Sequence, residues 1–272
     1  MGVTKIYSKS ITEIPSETCR KIRYVFTDID DTITSDGIIS ASAFEAIWQL
    51  YNAGIKIVPV TGRPAGWCDH IARMWPVEGI IGENGAFYYS YDRKTRKMNR
   101  IYLLSEETRL ENQKKLIEIG KRIEQEVPGS KIAADQPFRI SDLAIDYRED
   151  TGPLAKKEVQ KICEIMREEG AKYKVSSIHI NCWFGDYDKV ECLKKFLEDK
   201  ENKTLDDLLD RVVFIGDSPN DEPMFKELET TIAVANINNF LEELVYYPLY
   251  ITQRQSGEGF KEAVEIILTK RS

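Results

Sequence analysis

Apolar residues fall into short, strand-length blocks along the chain, separated by stretches with helical spacing. The first block, Ile22 to Phe26, is β-branched and aromatic and stops at Thr27-Asp28-Ile29-Asp30-Asp31-Thr32, which predicts a buried strand with acids at its carboxyl end. A helix follows: Ser42-Ala43-Phe44-Glu45 has the form of a capping box, Phe44, Ile47, Trp48 and Tyr51 recur at helical spacing, and Gly54 supplies the stop. Ile55 to Val60 returns to the strand pattern. Strand, helix and strand over this length make a βαβ unit, which brings Asp28 and Thr61 to one edge of a parallel sheet. A helix opening at Arg63 or Pro64 and running to about Met74 comes next, then a third strand, Gly79 to Ile81, ended by Gly82-Glu83-Asn84-Gly85. His70 falls on the Trp67, Ile71, Met74 side of that helix and reads as structural.

From Phe87 the pattern changes. Phe87 to Tyr91 and Asn99 to Leu103 flank a polar turn and predict a hairpin, followed by an uncapped amphipathic helix from about Glu106 to Glu126. Strands near Ile140 to Tyr147 and Lys172 to Phe184 bracket a second helix, about Pro153 to Glu169, so this stretch reads as an α+β module with an antiparallel sheet. After Gly185 the α/β pattern resumes with helix Lys189 to Lys200, strand Val212 to Ile215, a helix from about Glu222, strand Thr231 to Ala235, a short strand near Leu249 and helix Glu258 to Thr269. The expected organisation is an α/β, Rossmann-like doubly wound parallel sheet core from residues 1–86 and 186–272, with an inserted α+β cap at 87–185.

The chain has 272 residues, enough for one large domain or two modest ones, each with its own core. With 45 acids against 38 bases the net charge is -7, which disfavours a general nucleic-acid binder; an anionic ligand must be met by a local group of cations or by a metal. No apolar run approaches the ~20 residues needed to cross a bilayer, so no membrane partner is expected. The polar amino terminus, broken by Pro15, lacks the pattern of a secretory signal, and a cytoplasmic address is expected. Five scattered cysteines without a C-x-x-C pair read as buried free thiols. With only two histidines, a multi-histidine zinc site is excluded, and the carboxylates must carry most of any chemistry.

Asp28, Asp30 and Asp31 repel one another, and nothing nearby in the sequence neutralises them. Oxygen-only ligands favour a hard cation such as Mg²⁺, although for a D-x-D pair by itself a solvated strand-end loop is the simpler reading. A second acidic turn, Gly216-Asp217-Ser218-Pro219-Asn220-Asp221, follows Val212 to Ile215. Helix capping accounts for Asp221 and leaves Asp217 unexplained, on the sheet edge shared with Asp28 if the strand is parallel. Thr61-Gly62-Arg63-Pro64 places a hydroxyl and free N–H groups at a helix start, either a cradle for a phosphoryl oxygen or an ordinary N-cap. Lys189 is a cation in a first helical turn, against the helix dipole; the plain alternative pairs it with Asp186 or Asp188.

Taken together, DIDDT at Asp28, TGR at Thr61, Lys189 and GDSPND at Asp217, with a module inserted between the second and third, resemble the haloacid dehalogenase superfamily of phosphohydrolases in its large-cap IIB subclass. IGENGAF and GDSPNDEPMF are similar to its sugar-phosphate phosphatases, the mannosyl-3-phosphoglycerate phosphatases among them. One departure is Asp31, which stands where much of the family has glycine and puts the loop geometry in question. The resemblance implies a small phosphorylated substrate, Asp28 as nucleophile and Asp30 as acid and base. It further implies Mg²⁺ held by Asp28, the Asp30 carbonyl and Asp217, with Asp221 outside them. Thr61, Gly62, Lys189 and Asn220 are implied around the phosphoryl group, and Asn84 among the substrate contacts.

In the cap, alternation along Ile178-His179-Ile180-Asn181-Cys182-Trp183 puts Ile178, Ile180 and Cys182 on one face and His179, Asn181 and Trp183 on the other. The second set is expected to face substrate, with Trp183 as a sugar-stacking surface; an ordinary half-buried strand is the alternative. Arg139 is a further candidate for a substrate carboxylate or second phosphate. A phosphosugar mutase of the same fold, a phosphoryl-accepting receiver and a ligand-binding protein that has lost turnover remain open, and oligomeric state is not legible.

Overall fold

The structure, a computed structural model, describes residues 8–176 and 178–272. The start of the polar amino terminus and Ser177, inside the expected strand Lys172 to Phe184, lie outside the described residues. The chain begins with β1 (Lys9–Ser10), α1 (Ser16–Lys21), β2 (Tyr24–Thr27), the small hairpin β3 (Thr34–Ser35) and β4 (Ile38–Ile39), α2 (Ala41–Asn52), β5 (Lys56–Pro59) and α3 (Ala65–Met74). It continues through β6 (Ile80–Gly82), β7 (Phe87–Asp92), β8 (Lys97–Tyr102), α4 (Glu106–Glu126), β9 (Lys131–Ile132), β10 (Asp142–Asp146), α5 (Lys156–Glu168), β11 (Lys172–Val175) and β12 (His179–Trp183). It closes with α6 (Lys189–Glu201), β13 (Val212–Gly216), α7 (Glu222–Glu227), β14 (Thr230–Ala233), β15 (Tyr250–Ile251) and α8 (Ser256–Arg271).

The central sheet has the order β1-β15-β14-β13-β2-β5, and every pair in it is parallel. Its central strands are buried on both faces, as a parallel sheet covered by helices must be. Val25, Ile57, Val213 and Ile215 pack into one apolar cluster with α2 and α8, while Tyr24, Phe26, Val58 and Phe214 pack into another with α6 and α7. Because β2 and β13 pair directly with Thr27 opposite Ile215, both chains leave the sheet at the same edge, one into Asp28 and the other into Asp217.

A separate antiparallel sheet, β11-β12-β10-β9, belongs to the inserted module. One face of it packs against α4 and α5 around Leu116, Ile119, Ile123, Leu143, Ile145, Ile162, Ile165, Met166, Ile180 and Cys182, an apolar core of its own. The expected hairpin forms as β7 and β8, but it pairs with β6 and buries Phe87, Tyr88 and Tyr89 in the two clusters that flank the central sheet. The third expected strand, β6, adjoins the central sheet through a Val60–Ile81 bridge rather than as one of its ladder strands.

Two helix readings need correction. Ser40, not Ser42, caps α2 by accepting the Ala43 N–H, and the Ser42 hydroxyl donates to Glu258 instead. The buried stripe of α2 is Ala43, Ala46, Ile47 and Leu50, so Trp48 and Tyr51 are exposed and meet edge to face. In α3 the buried residues are Ala65, Cys68, Ile71 and Ala72, which leaves His70 exposed beside Trp67 and Met74. Ala43 of α2 faces α8 rather than solvent, where a Cβ on Gly257 would come 3.2 Å from its own, so a small residue fits there. The helix expected to be uncapped, α4, is capped by Ser105, which accepts the Thr108 N–H. All five cysteines are buried and free. Among the described residues no helix is long and apolar enough to cross a membrane.

Candidate active site

The chain past β2 turns sharply: Thr32, Ile33 and Thr34 all donate backbone N–H groups to the Ile29 carbonyl. Asp31 sits in this turn with φ +59°, the left-handed region where glycine is favoured and aspartate is among the better tolerated alternatives. The left-handed conformation that glycine favours is thus taken here by an aspartate. Its carbonyl accepts from Asn236 Nδ2, and its N–H donates to Thr34 Oγ1. The turn holds Asp28 at the strand end, its N–H donating to the Ile215 carbonyl of the neighbouring strand.

Carboxylate oxygens of Asp28, Asp217 and Asp221 lie within 4.8 Å of one another, and all three side chains are buried. Asp217 is fixed by Thr32 Oγ1 and by Ser218 Oγ, which donate to its Oδ1 at 3.2 and 3.3 Å. Asp221 stands at the N-cap position of α7, but its side chain does not cap the helix: its Oδ2 accepts the Asp217 N–H at 3.0 Å, and its Oδ1 meets Lys189. Lys189 is the first residue of α6, whose N-cap is Asp188, and its Nζ lies 2.9 Å from both Asp28 and Asp221 and 3.4 Å from Asn220 Oδ1. Its partners are thus distant acids, while Asp186 pairs with Lys172.

Burial, opposed by Lys189 and reinforced by Asp221 and Asp30, pushes the Asp28 carboxyl well above its ordinary range. Burial with Asp221 and Asp28 does the same to Asp217. For Lys189, burial works against the charge, but Asp221 and Asp28 outweigh it and raise its pKa. Three buried carboxylates facing one ammonium leave an excess of negative charge that a divalent cation offsets, and oxygen-only donors suit a hard ion. The residues therefore fit magnesium.

Thr61 leaves β5 fully buried, and its Oγ1 accepts the Arg63 N–H at 3.0 Å, which leaves its own O–H free to donate. Gly62 lies against Asn84, where a Cβ would come 3.3 Å from the amide. Asn84 adopts φ +56°, lines the pocket, and its buried Nδ2 has no partner among the described residues. Asp28, Asp30, Gly62, Asn84, His179, Asn181, Asp217 and Asn220 all border one cavity between the core and the inserted sheet.

Several residues that sequence reasoning missed tie the two layers together. Arg63 donates from Nε and Nη2 to Asp30 at 2.9–3.1 Å and from Nη1 to Glu149 of the inserted module at 3.0 Å. Glu149 also pairs with His179 Nε2 at 2.9 Å; that bond, with Arg63 behind it, pulls the Glu149 carboxyl down to about 2. Glu83 is buried in the turn after β6 and accepts N–H groups from Ala65, Ile140, Ser141 and Asp142. A lone acid flanked by Gly82 and Gly85 between apolar strands is a readable signal; Glu149, in a polar loop, gives none.

Three cap expectations change. Arg139 has no exposed side-chain surface: its guanidinium binds Asp135, Asp142 and the Gly62 carbonyl, so it joins the layers rather than facing the cavity. Trp183 donates to the Tyr187 carbonyl and stacks on Tyr187 within the core cluster, and it offers no sugar platform. Ile178, expected beneath the helices, borders the cavity. His179 and Asn181 do border it, each held by an acid, Glu149 and Asp142 respectively.

The sequence profile of the haloacid dehalogenase-like hydrolases matches residues 25–204 and 154–262. The phosphoglycolate phosphatase of Methanobrevibacter smithii is 26% identical over 255 residues, spanning 89% of this chain and 96% of that protein. A glucosyl-3-phosphoglycerate/mannosyl-3-phosphoglycerate phosphatase of Persephonella marina is 24% identical over 266 residues, spanning 90% and 97%. Among solved structures, protein 0175 of Thermoplasma acidophilum superposes with a TM-score of 0.69 at 19% identity over 91% of this chain and 98% of that one. The sucrose-phosphatase of Synechocystis, crystallised with sucrose and phosphate, gives 0.62 at 13% identity over 91% and 98%. With the profile spanning nearly the whole core and insert, the chain belongs to the haloacid dehalogenase-like hydrolases, as a phosphatase of that family.

Proposed function

We propose that the protein is a cytosolic, magnesium-dependent phosphate monoester hydrolase for a sugar phosphate or phosphorylated glycosyl acid, working through an aspartyl-phosphate on Asp28. The observation that carries this reading is the convergence of Asp28, Asp217 and Asp221 with Lys189 at one edge of the parallel sheet. Asp28 and Asp217, with the Asp30 carbonyl, would hold the metal. Asp221 has both oxygens engaged by Lys189 and the Asp217 N–H, which suits a supporting place outside them. Bound there, magnesium supplies positive charge against the phosphoryl oxygens and the buried acids.

In the first half-reaction an Asp28 oxygen bonds to phosphorus as the bond to the alcohol oxygen breaks, and Asp30 gives that oxygen its proton. In the second, Asp30 takes a proton from water, the resulting hydroxide attacks phosphorus, and the acyl-phosphate bond returns its electrons to Asp28. Lys189, the Thr61 hydroxyl, the Gly62 N–H and Asn220 hold the phosphoryl oxygens as charge redistributes over them. Arg63 orients Asp30, and its contact with Glu149 ties that orientation to the position of the inserted sheet. That sheet covers the reacting groups and excludes water. Asn84, with its unused amide, and His179 and Asn181 are the substrate contacts this arrangement favours.

The test is phosphate release from a panel of monoesters with and without Mg²⁺, for the natural protein and for Asp28→Asn. Metal-dependent release lost in the variant is expected; full activity in the variant overturns the assignment.

A further inference from the structure

We infer that the roof of the cavity recognises a second negative charge on the substrate, a carboxylate, through Lys174, so that phosphorylated small acids are preferred over neutral phosphate esters. The inference rests on the phosphatase reading and narrows its substrate class. In the β11–β12 ladder Lys174 lies opposite Asn181, and Ser176 continues that face beside His179. All four residues border the cavity that contains Asp28 and Asp30, so one face of this hairpin forms the roof over the reacting carboxylates.

The roof's other polar groups are already engaged. His179 binds Glu149, Asn181 donates to Asp142, and the Ser176 hydroxyl donates to the His179 carbonyl. Of the cations bordering the cavity, Arg63 is held between Asp30 and Glu149. Below it, Lys189 is held between Asp28 and Asp221. Among the described residues, Lys174 is the cavity-lining cation without an ion pair. It is half-buried, and burial together with repulsion from Lys189 disfavours its charge by more than the surrounding Asp221, Glu222 and Asp188 support it. An ammonium kept there against both effects is satisfied by an anion entering the cavity, and a phosphoryl group bound at Asp28 would already have Lys189 and the metal site on its other side. The remaining anion is one carried at the other end of a short substrate.

Matched pairs of esters test this with the full-length protein and Mg²⁺: phosphoglycolate against 2-hydroxyethyl phosphate, and 3-phosphoglycerate against glycerol 3-phosphate. The natural protein is expected to favour the acid of each pair. Lys174→Gln is expected to lower kcat/KM for the acids by roughly 10- to 100-fold, mainly through KM, the scale of one lost charge-assisted hydrogen bond. It should leave the neutral esters unchanged, which also shows that the variant is folded. Lys174→Arg should recover most of the loss. Equal losses on both members of a pair, no loss on the acids, or a natural preference for the neutral esters overturns the inference while leaving the phosphatase reading intact. No release from any ester, p-nitrophenyl phosphate included, overturns both.

Discussion

Gly85 ends the turn that carries Asn84 and lies against the start of α6, the helix that presents Lys189. Its φ is +103°, and a Cβ built there would come 2.0 Å from the Asp188 carbonyl oxygen and 2.7 Å from the Lys189 nitrogen. Both neighbours are backbone, so neither can swing away. Gly85→Ala is therefore expected to cost about 1–2 kcal/mol for the left-handed backbone and about 1–3 kcal/mol for overpacking. Gly54, φ +74° at the end of α2, separates the two effects, because a Cβ there meets nothing within 4 Å and Gly54→Ala carries the backbone strain alone. Urea unfolding of the two variants gives the difference directly, with a Tm loss on the order of 5–15 °C expected for Gly85→Ala. Since Asp188 is the N-cap that fixes Lys189, phosphatase activity should fall in Gly85→Ala and persist in Gly54→Ala. If the two variants lose equal stability, the close approach of this turn to α6 is refuted.

Asp30→Asn keeps one oxygen to accept from Arg63 Nε and Nη2 but loses the second acceptor and cannot shuttle a proton, and a loss of about 10²–10⁴-fold in kcat is expected in steady-state assays. Removing divalent ions with a chelator should abolish turnover, with Mg²⁺ restoring it and raising Tm in the natural protein more than in Asp217→Asn; Tm unmoved by Mg²⁺ would count against the site. Gly216→Ala would bring a Cβ to 2.3 Å from the buried Asp221 Oδ2 and 2.7 Å from the buried Phe214 ring, so weaker Mg²⁺ activation together with an overpacking loss of about 1–3 kcal/mol is expected, as titration of activity against the metal and urea unfolding would show. The Glu149 carboxyl is depressed to about 2 by His179 and Arg63, so its contribution to stability is present above the ordinary carboxylate range and is lost as pH falls through the folded value. Glu149→Gln should accordingly be less stable than the natural protein at pH 7, with the gap closing between about pH 5 and 2 in denaturant titrations.

Much of the architecture was readable because it rests on local chemistry. Apolar strand blocks ending in acids, and helices stopped by glycine, fix element type without knowledge of the partner, and so Asp28, Thr61, Asp217 and Lys189 could be placed at strand ends or helix starts. The exact buried face of α2 was not readable. Phe44, Ile47, Trp48 and Tyr51 and the observed Ala43, Ala46, Ile47 and Leu50 both satisfy helical spacing, and only the tertiary packing against α8 and the sheet selects the second set. The same holds for the hairpin of β7 and β8, whose form is local but whose attachment to β6 is not.

What the linear order of residues determined is the inventory: an α/β chain with an inserted α+β segment, acids and a lysine at the ends of its strands and helices, and no excess of cations. What the tertiary structure decided is the pairing. Coulomb and hydrogen-bond energies depend on separations of a few ångströms between residues far apart in the chain. Lys189 meeting Asp28 and Asp221, Arg63 joining Asp30 to Glu149, and Arg139 withdrawn into the layer junction are thus facts of folding alone. Lys174 is the same case in reverse, an ordinary strand lysine in sequence that the register of one hairpin brings to the cavity bordered by Asp28 and Asp30.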